Sequence, residues 1–347
     1  ISIEMTQKIK IFGATPSPYT QKILAAFRYR HIPFMIYNGD IAKKITKLGI
    51  ELPKPVLLPT ILLPNDNGEL VATTDSTPII RRLENEFTER KIVPDDPALA
   101  FINYLLEDFG DEWVTKYMFH YRWYFEEDAD VAGAILPLVD IAINTSNETL
   151  TEYKKIVTER QKGRLWVVGS NDRTADFIDS SYKRFLNLME DHLINSPFLL
   201  GTKPSSSDFS FYGQLTQLVG FDPTPRKIAY EYSLRTVAWV DVLDDLSGHD
   251  AENTSWTKLE DSPESLKNLL KEVGKMYIPA LLANSEALIK GDETWEMKLD
   301  NAVWKQKTFP YQAKCLKWIK NEFDLLNQED KKRVLNFLDD TGCETIL

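Results

Sequence analysis

The first 90 residues constrain the fold more than any other part of this chain, because strand-like and helix-like patterns alternate within them. Residues 8–12 alternate polar and apolar side chains, as a β-strand does, and residues 19–30 have the spacing of an amphipathic helix. Three further strands and a second helix are predicted, at residues 34–37, 60–63 and 70–72 and at residues 78–87. The order β-α-β followed by β-β-α predicts a small mixed sheet with helices packed on it.

A break with two prolines and two acidic residues follows at 93–97. We therefore predict an N-terminal domain at residues 8–90 and a larger, mainly helical domain at residues 96–347. The clearest helical signal of the second domain lies at 178–193, where apolar side chains recur every three or four positions. Two loops are predicted within this domain, at residues 248–264 and 291–298.

Composition and charge exclude several classes of protein. Of the 347 residues, 43% are hydrophobic, which is enough for a core and argues against a disordered chain. No run approaches the roughly 18 apolar residues of a membrane span, so we do not expect this chain to be an integral membrane protein. The net charge of -11 argues against nucleic acid as the main partner. Residues 1–90 hold 12 basic and 9 acidic residues, a surplus that could attract a small anion but is also ordinary for a surface.

The chain has two cysteines, Cys315 and Cys343, which excludes a disulfide scaffold and a cysteine-rich metal site. A reducing compartment is therefore expected. The first ten residues lack the apolar segment of a secretory signal, so we expect a cytoplasmic location. The acidic residues near His120 match no common spacing of metal ligands, and we expect no metal site.

Ser17 and Pro18 stand at the junction of the first predicted strand and the first helix. A serine is a good helix cap, and a proline suits the first helical turn. The simplest interpretation is therefore structural. A helix N-terminus also favours negative charge and lowers the pKa of a thiol placed there. The same hydroxyl could donate to a bound thiolate.

Two other short motifs also have both a structural and a functional interpretation. Leu58 and Pro59 open the third strand, where proline is tolerated, or where a cis peptide bond could present backbone groups to a ligand. Asp75 and Ser76 precede the second helix. They could cap that helix, or they could bind an amino group and a carboxylate.

Taken together, these motifs resemble the thioredoxin-like N-terminal domain of glutathione S-transferases. The pattern Ser-Pro-Tyr-x-x-Lys is most similar to the classes whose active-site residue directly precedes a proline, a serine in the tau class and a cysteine in the omega class. Residues 198–208 resemble a segment of the family's helical domain, in which Ser205 and Asp208 would form a capping box. The implied fold is an α/β thioredoxin-like domain followed by a larger all-α domain.

The resemblance implies a glutathione site in the N-terminal domain, with glutathione as co-substrate and no metal. Ser17 would be the catalytic residue and would hydrogen-bond the glutathione thiolate. Leu58, before a cis-Pro59, would pair its backbone with the cysteinyl part of the tripeptide.

The two ends of the tripeptide would meet polar residues on either side of that position. Asp75 and Ser76 would hold the amine and the carboxylate of the γ-glutamyl group. A basic residue, Lys54 or else Lys47, would meet the glycyl carboxylate.

An aromatic cluster early in the second domain occupies the position at which this family lines its substrate pocket. Together with one tyrosine of the first helix, it gives the expected pocket residues: Tyr19, Tyr117, His120, Tyr121 and Trp123. An ordinary aromatic core with a satisfied histidine is the alternative interpretation.

The implied activity is that of a glutathione transferase acting on small hydrophobic electrophiles, in a homodimer. A serine at position 17 disfavours a mixed disulfide with the protein and favours conjugation, isomerisation or peroxide reduction. The alternative is a catalytically weak binding or scaffold protein that retains the fold. Residues 250–347 extend beyond the family's common pattern, and this favours the alternative.

Overall fold

The computed structural model describes residues 8–299 and 302–347. The N-terminal elements are β1 (Ile9–Phe12), α1 (Pro18–Arg30), β2 (Phe34–Tyr37), α2 (Ile41–Lys47), β3 (Thr60–Pro64), β4 (Leu70–Thr73) and α3 (Ser76–Glu86). They form a mixed sheet of order β2-β1-β3-β4, in which β1 is parallel to β2 and antiparallel to β3. The predicted strands and helices are confirmed. Helix α2 was not predicted, because Ile45 is the one buried residue among its seven and leaves no periodic signal.

The register of the sheet brings three loops to one edge. Phe12 at the end of β1 pairs with Thr60 at the start of β3, and Ile61 pairs with Thr73 at the end of β4. Antiparallel pairing places the end of one strand beside the start of its neighbour. The segments after β1, before β3 and after β4 therefore lie together at one end of the strands, which we call the shared sheet edge. These segments contain the predicted ligand-binding residues.

The rest of the chain is mainly helical, and the expected fold class is confirmed. Its helices are α4 (Pro97–Phe109), α5 (Thr115–Tyr124), α6 (Glu126–Asp140), α7 (Asn147–Lys162), α8 (Ala175–Asn195), α9 (Ser206–Gly220), α10 (Pro223–Tyr232), α11 (Leu234–Asp244), α12 (Glu264–Glu272), α13 (Ile278–Lys290), α14 (Pro310–Asp324) and α15 (Gln328–Leu338). Short 3₁₀ turns occur at Leu165–Val168, Leu259–Asp261 and Cys343–Ile346. Two π-helical turns, Gly110–Val114 and Val273–Tyr277, join α4 to α5 and α12 to α13. None of the described helices combines the length and the apolar character needed to cross a bilayer.

A two-stranded antiparallel hairpin interrupts the helices, formed by β5 (Thr294–Leu299) and β6 (Ala302–Lys307). The expected loop at 291–298 is therefore wrong from the start of β5 onward. Buried Trp295 and Met297 alternate with exposed neighbours, which is the period of a strand lying on a core. The second domain is thus not purely helical.

Helix α9 lies at the centre of the helical region and is buried along most of its length. It begins with the predicted capping box between Ser205 and Asp208, which is confirmed. At Gly213 this helix passes very close to the first turn of α1. A Cβ at this glycine would lie 2.3 Å from the carbonyl oxygen of Pro18, so a larger side chain would force the two helices apart.

The segment after β6 returns across the molecule to helix α4. The ring of Phe323 in α14 meets the ring of Phe101 edge-on, with centroids 5.5 Å apart. Arg333 in α15 forms an ion pair of 2.7 Å with Asp96, which caps α4. The terminal helices α14 and α15 therefore both pack against α4.

One continuous hydrophobic cluster joins the two regions of the chain. It includes Ile79 and Leu83 of α3 together with Leu99 and Ile102 of α4. The chain between α3 and α4 forms no helix or strand in the described part of the molecule. The exact division into domains at 8–90 and 96–347 stays a prediction.

Candidate functional site

Helix α1 begins directly after Ser17, whose side chain caps it. The Oγ atom accepts a hydrogen bond of 3.2 Å from the backbone N–H of Thr20, and Pro18 occupies the first helical position. A hydroxyl group has one hydrogen to donate in addition to its acceptor lone pairs. The O–H of Ser17 has no acceptor among the described residues. Ser17 therefore caps the helix and retains a free donor at the positive end of the helix dipole.

The helical region fixes the loop that precedes α1. The guanidinium of buried Arg122 donates to the carbonyl oxygen of Pro16 at 3.0 Å and forms an ion pair of 2.9 Å with Asp222. Gln217 of α9 donates to the carbonyl oxygen of Thr15 at 3.0 Å. Burial raises the pKa of Asp222 to about 6, although the charge of Arg122 opposes this shift. These contacts determine where the N-terminus of α1 points.

The peptide bond between Leu58 and Pro59 is cis, as the resemblance implies. The hydroxyl of the next residue, Thr60, donates to the carbonyl oxygen of Leu57 at 2.7 Å and closes this turn. The backbone N–H and C=O of Leu58 have no partner among the described residues. They are free to pair with an extended ligand at the edge of the sheet.

Helix α3 begins after Asp75 in a different way. Asp75 has φ 77° and ψ 108°, and its side chain makes no cap hydrogen bond. A positive φ is uncommon for a residue other than glycine, and such backbone is concentrated at functional sites. The N–H groups of Ser76 and Thr77 have no partner among the described residues. The start of α3 can therefore accept an anionic group.

A buried ammonium group links the two helix starts. Lys22 of α1 donates to the Oγ atom of Ser76 at 3.0 Å and forms ion pairs with Glu107 at 2.9 Å and Asp111 at 2.6 Å. Burial works against the charge of Lys22, but Asp111 and Glu107 hold its pKa above the ordinary value. Helices α1, α3 and α4 are thus joined through one cation.

The π-helical turn Gly110–Val114 supplies the acidic residues that face the N-terminal region. A π-helical turn holds one residue more than an α-helical turn, and this changes the direction of the side chains around it. Such turns are frequent at functional sites. The hydroxyl of Tyr19 donates to the carbonyl oxygen of Asp111 at 2.7 Å. The carboxylate of Glu112 accepts a long hydrogen bond of 3.5 Å from Gln312. Burial, with help from neighbouring carboxylates, raises the pKa of Glu112 well above its ordinary value.

Helix α14 contributes a side chain from the far end of the chain. The phenol of Tyr311 donates to Oδ2 of Asp75 at 3.1 Å, across 236 positions of sequence. The residue that caps α14, Phe309, is held by Asn284, which donates to its carbonyl oxygen at 3.0 Å and accepts from its N–H at 2.8 Å. The terminal segment is therefore part of the candidate site.

The matched family model covers the region that contains this sheet edge. Residues 11–91 match the family described as glutathione S-transferase, N-terminal domain. Residues 11–91 therefore form a domain similar to the N-terminal domain of that family. No curated protein matches the chain.

Solved structures of glutathione transferases and related proteins resemble about two thirds to three quarters of the chain at low identity. A beta-etherase, LigF, from Sphingobium sp. strain SYK-6 is 18% identical, with a TM-score of 0.47, over 69% of this chain and 95% of its own. A glutathione transferase from Pseudomonas putida, solved with glutathione disulfide bound, is 12% identical, with a TM-score of 0.42, over 77% and 93%. A tau class glutathione S-transferase from mango, Mangifera indica, is 16% identical, with a TM-score of 0.39, over 76% and 96%.

Within residues 11–91, the structure brings most of the predicted ligand-binding residues together. The residues at or next to the shared sheet edge are Ser17, Leu58, Pro59, Asp75 and Ser76. Their roles toward a ligand stay predictions.

The predicted basic residues lie outside this group. Lys54 is exposed in the loop before β3, where its peptide bond to Pro55 is also cis, and Lys47 is exposed at the end of α2. Neither lysine has an ion-pair partner among the described residues. The structure therefore gives no preference between them for the glycyl carboxylate.

The aromatic cluster expected to line a substrate pocket is buried. The side chains of Tyr117, His120, Tyr121 and Trp123 are at most 1% exposed. His120 is hydrogen-bonded to the hydroxyl of Ser170 at 2.7 Å, and burial lowers its pKa to about 4. Their burial favours the aromatic-core interpretation, but the histidine is only half satisfied, because its buried Nε2 has no hydrogen-bond partner among the described residues. Tyr19, which is partly exposed beside the start of α1, is the one residue of the five still placed to contact a ligand.

Three important residues of the site were not predicted in these roles. Lys22 belongs to the quoted serine-proline motif, but nothing local shows that its ammonium is buried between two carboxylates. Arg122 lies within the aromatic cluster, and its contact with Pro16 spans 106 positions. Tyr311 lies in the segment for which the sequence offered no function. Among the described residues, no group of His, Cys, Asp and Glu side chains is arranged to hold a metal ion.

Proposed function

We propose that this protein binds glutathione at the shared sheet edge and directs its thiolate against small hydrophobic electrophiles. The free O–H of Ser17 at the N-terminus of α1 carries this proposal. A hydrogen bond to a charged acceptor contributes roughly 1.5–3 kcal/mol, and the helix dipole adds to it. Both effects lower the pKa of a bound thiol from about 8.5 toward neutrality.

The remaining groups of the site fit the other parts of the tripeptide. The free backbone groups of Leu58 would pair with the cysteinyl residue. The carboxylate of Asp75 would accept from the γ-glutamyl amine, and the N-terminus of α3 at Ser76 would receive the γ-glutamyl carboxylate. Lys54 would approach the glycyl carboxylate from the exposed loop.

Glutathione would be the source of the nucleophilic sulfur, because the protein's own thiols are unsuitable. Cys315 and Cys343 are both buried, and burial raises the pKa of each thiol, that of Cys343 to about 12. The bound thiolate would form a carbon–sulfur bond with the electrophile, whose leaving group would depart with the bonding electron pair. Ser17 would stabilise the thiolate before attack and would not itself form a covalent bond.

Calorimetric titration of the full chain with millimolar glutathione tests the binding step. We expect saturable binding, and a conjugation assay with a generic electrophile then measures turnover. Binding without turnover would support the second candidate, a catalytically weak binding protein, which is favoured by the terminal segment in contact with Asp75. Absence of detectable binding would refute both candidates. The homodimer and the cytoplasmic location stay predictions.

A further inference from the structure

The hydrogen bond between Tyr311 and Asp75 joins the terminal segment to the residue of the site that has a positive φ. The carboxylate of Asp75 does not cap α3, and its backbone has a positive φ. An acidic residue that caps nothing at a strained position is not there for the stability of its own helix. The phenol of Tyr311 gives this carboxylate a fixed partner at 3.1 Å.

Two sets of contacts hold Tyr311 in place. The bonds between Asn284 and Phe309 fix the chain two residues before it. The ring of Trp318, about two turns further along α14, meets the ring of Tyr311 edge-on, with centroids 5.9 Å apart. Burial raises the pKa of Tyr311, so that its phenol stays a donor. A rigid donor fixes the orientation of its acceptor.

The carboxylate of Asp75 has capacity left for a ligand. An ionised carboxylate accepts several hydrogen bonds through its two oxygen atoms. Tyr311 occupies Oδ2, whereas Oδ1 has no partner among the described residues. One oxygen is thus oriented by the protein and the other is open.

We infer that Tyr311 is a positioning residue that orients the carboxylate of Asp75 toward the amine of the ligand's γ-glutamyl group. This inference rests on the proposed binding of glutathione. Tyr311 acts through Asp75 and does not touch the reacting sulfur. The terminal segment therefore determines how well the site discriminates a ligand with a free amine from one without it.

Calorimetry with two ligands tests this role. Glutathione carries the amine, and glutaryl-cysteinylglycine is the same molecule without it. Tyr311→Phe removes only the hydroxyl group. We expect the affinity for glutathione to fall roughly tenfold, while the affinity for the amine-free ligand is unchanged. Tyr124→Phe is the matched control, because it deletes a similar bond of 2.7 Å to Asp172 at the surface, and both affinities should stay at the wild-type level.

Asp75→Asn supplies a second, independent measurement. If Tyr311 acts through Asp75, adding Tyr311→Phe to Asp75→Asn should cause little further loss of glutathione affinity. Additive losses would overturn the inference, as would equal losses for both ligands in Tyr311→Phe alone. Tighter binding of glutathione by Tyr311→Phe would show that the phenol competes with the amine, which also overturns it.

The proposed function fails in a distinguishable way. If the wild-type chain binds neither ligand, the glutathione site is refuted and the role of Tyr311 is refuted with it. If the wild-type chain binds glutathione but Tyr311→Phe binds it equally well, the role of Tyr311 alone is refuted. Thermal melting of each variant confirms that it is folded.

Discussion

Helices α1 and α3 both begin with a polar residue followed by a proline within three positions, yet the molecule holds the two starts by different means. Ser17 has extended backbone and caps its own helix, and the loop before it is fixed by Arg122 and Gln217 of the helical body. Asp75 has a positive φ and caps nothing, and its carboxylate is held by Tyr311.

This difference separates two kinds of polar residue that look alike in sequence. A capping side chain stabilises its helix whether or not a ligand is bound. An uncapped side chain on strained backbone contributes little to the helix and is available for binding. Ser17 should therefore affect both stability and activity, whereas Asp75 should affect binding alone.

The largest effect is expected from Arg122→Met, which removes the support of the α1 start. Its loss leaves the buried carboxylate of Asp222 without a partner, which costs about 3–5 kcal/mol of unfolding free energy. Arg235→Met is the matched control, because its ion pair with Glu190 is largely exposed and should contribute at most about 1 kcal/mol. Chemical denaturation measures both. Equal losses of unfolding free energy in the two variants would contradict the view that buried Arg122 supports the start of α1.

The loss in Arg122→Met should also depend on pH. The pKa of Asp222 is about 6 in the folded protein and ordinary in the unfolded chain, so the folded state holds an extra proton between these values. The stability that this extra proton on Asp222 contributes is fully present below the ordinary pKa of an aspartate. It is lost as the pH rises through about 6. Without Arg122, the ionised carboxylate of Asp222 has no cation beside it inside the folded protein. The variant should therefore lose more unfolding free energy at pH 8, where this carboxylate is ionised, than at pH 5.

Ser17→Ala should have the next largest effect. Loss of the bond to the thiolate raises the pKa of bound glutathione by about one to two units. The conjugation rate near neutral pH should therefore fall by roughly ten- to a hundredfold, and the unfolding free energy should fall by about 1 kcal/mol.

Ser146→Ala is the matched control for this change, because Ser146 caps α7 with a bond of 3.3 Å to the N–H of Thr149. It should cost similar stability and leave the rate unchanged. The pH–rate profile is the decisive measurement for Ser17→Ala. An unchanged profile in a less stable variant would reduce Ser17 to a helix cap.

Asp75→Asn should have the smallest effect on the fold. Asparagine tolerates a positive φ and can still accept from Tyr311, so the unfolding free energy should change by less than about 0.5 kcal/mol. Glutathione affinity should fall by roughly tenfold, because the amine loses a charged partner. Asp340→Asn, at another aspartate with positive φ, should change neither quantity. A large loss of stability in Asp75→Asn would make Asp75 a structural residue.

Local patterns were sufficient for most of the N-terminal region. Strand alternation and the helix starts at Ser17 and Asp75 are encoded within a few residues, and the structure reproduces them. The hairpin of β5 and β6 was missed although Trp295 and Met297 alternate correctly, because a short run rich in charged residues gives a weak strand signal.

The long-range contacts of the site could not be predicted in the same way. The partners of Arg122 and Tyr311 lie 106 and 236 positions away, and no local property of either residue indicates them. The resemblance to a known family supplied the candidate glutathione residues. It supplied nothing for the terminal segment, which departs from the family's common pattern.

The enclosed ammonium of Lys22 also limits how the molecule can move. It belongs to the N-terminal region, whereas Glu107 and Asp111 belong to the helical region. A hinge motion that separated the two would leave buried charges unpaired, at a cost of several kcal/mol. Ligand binding should therefore leave the two regions in contact. Motions near the site should be those of loops, which occur in nanoseconds to microseconds, rather than domain opening, which takes microseconds to milliseconds.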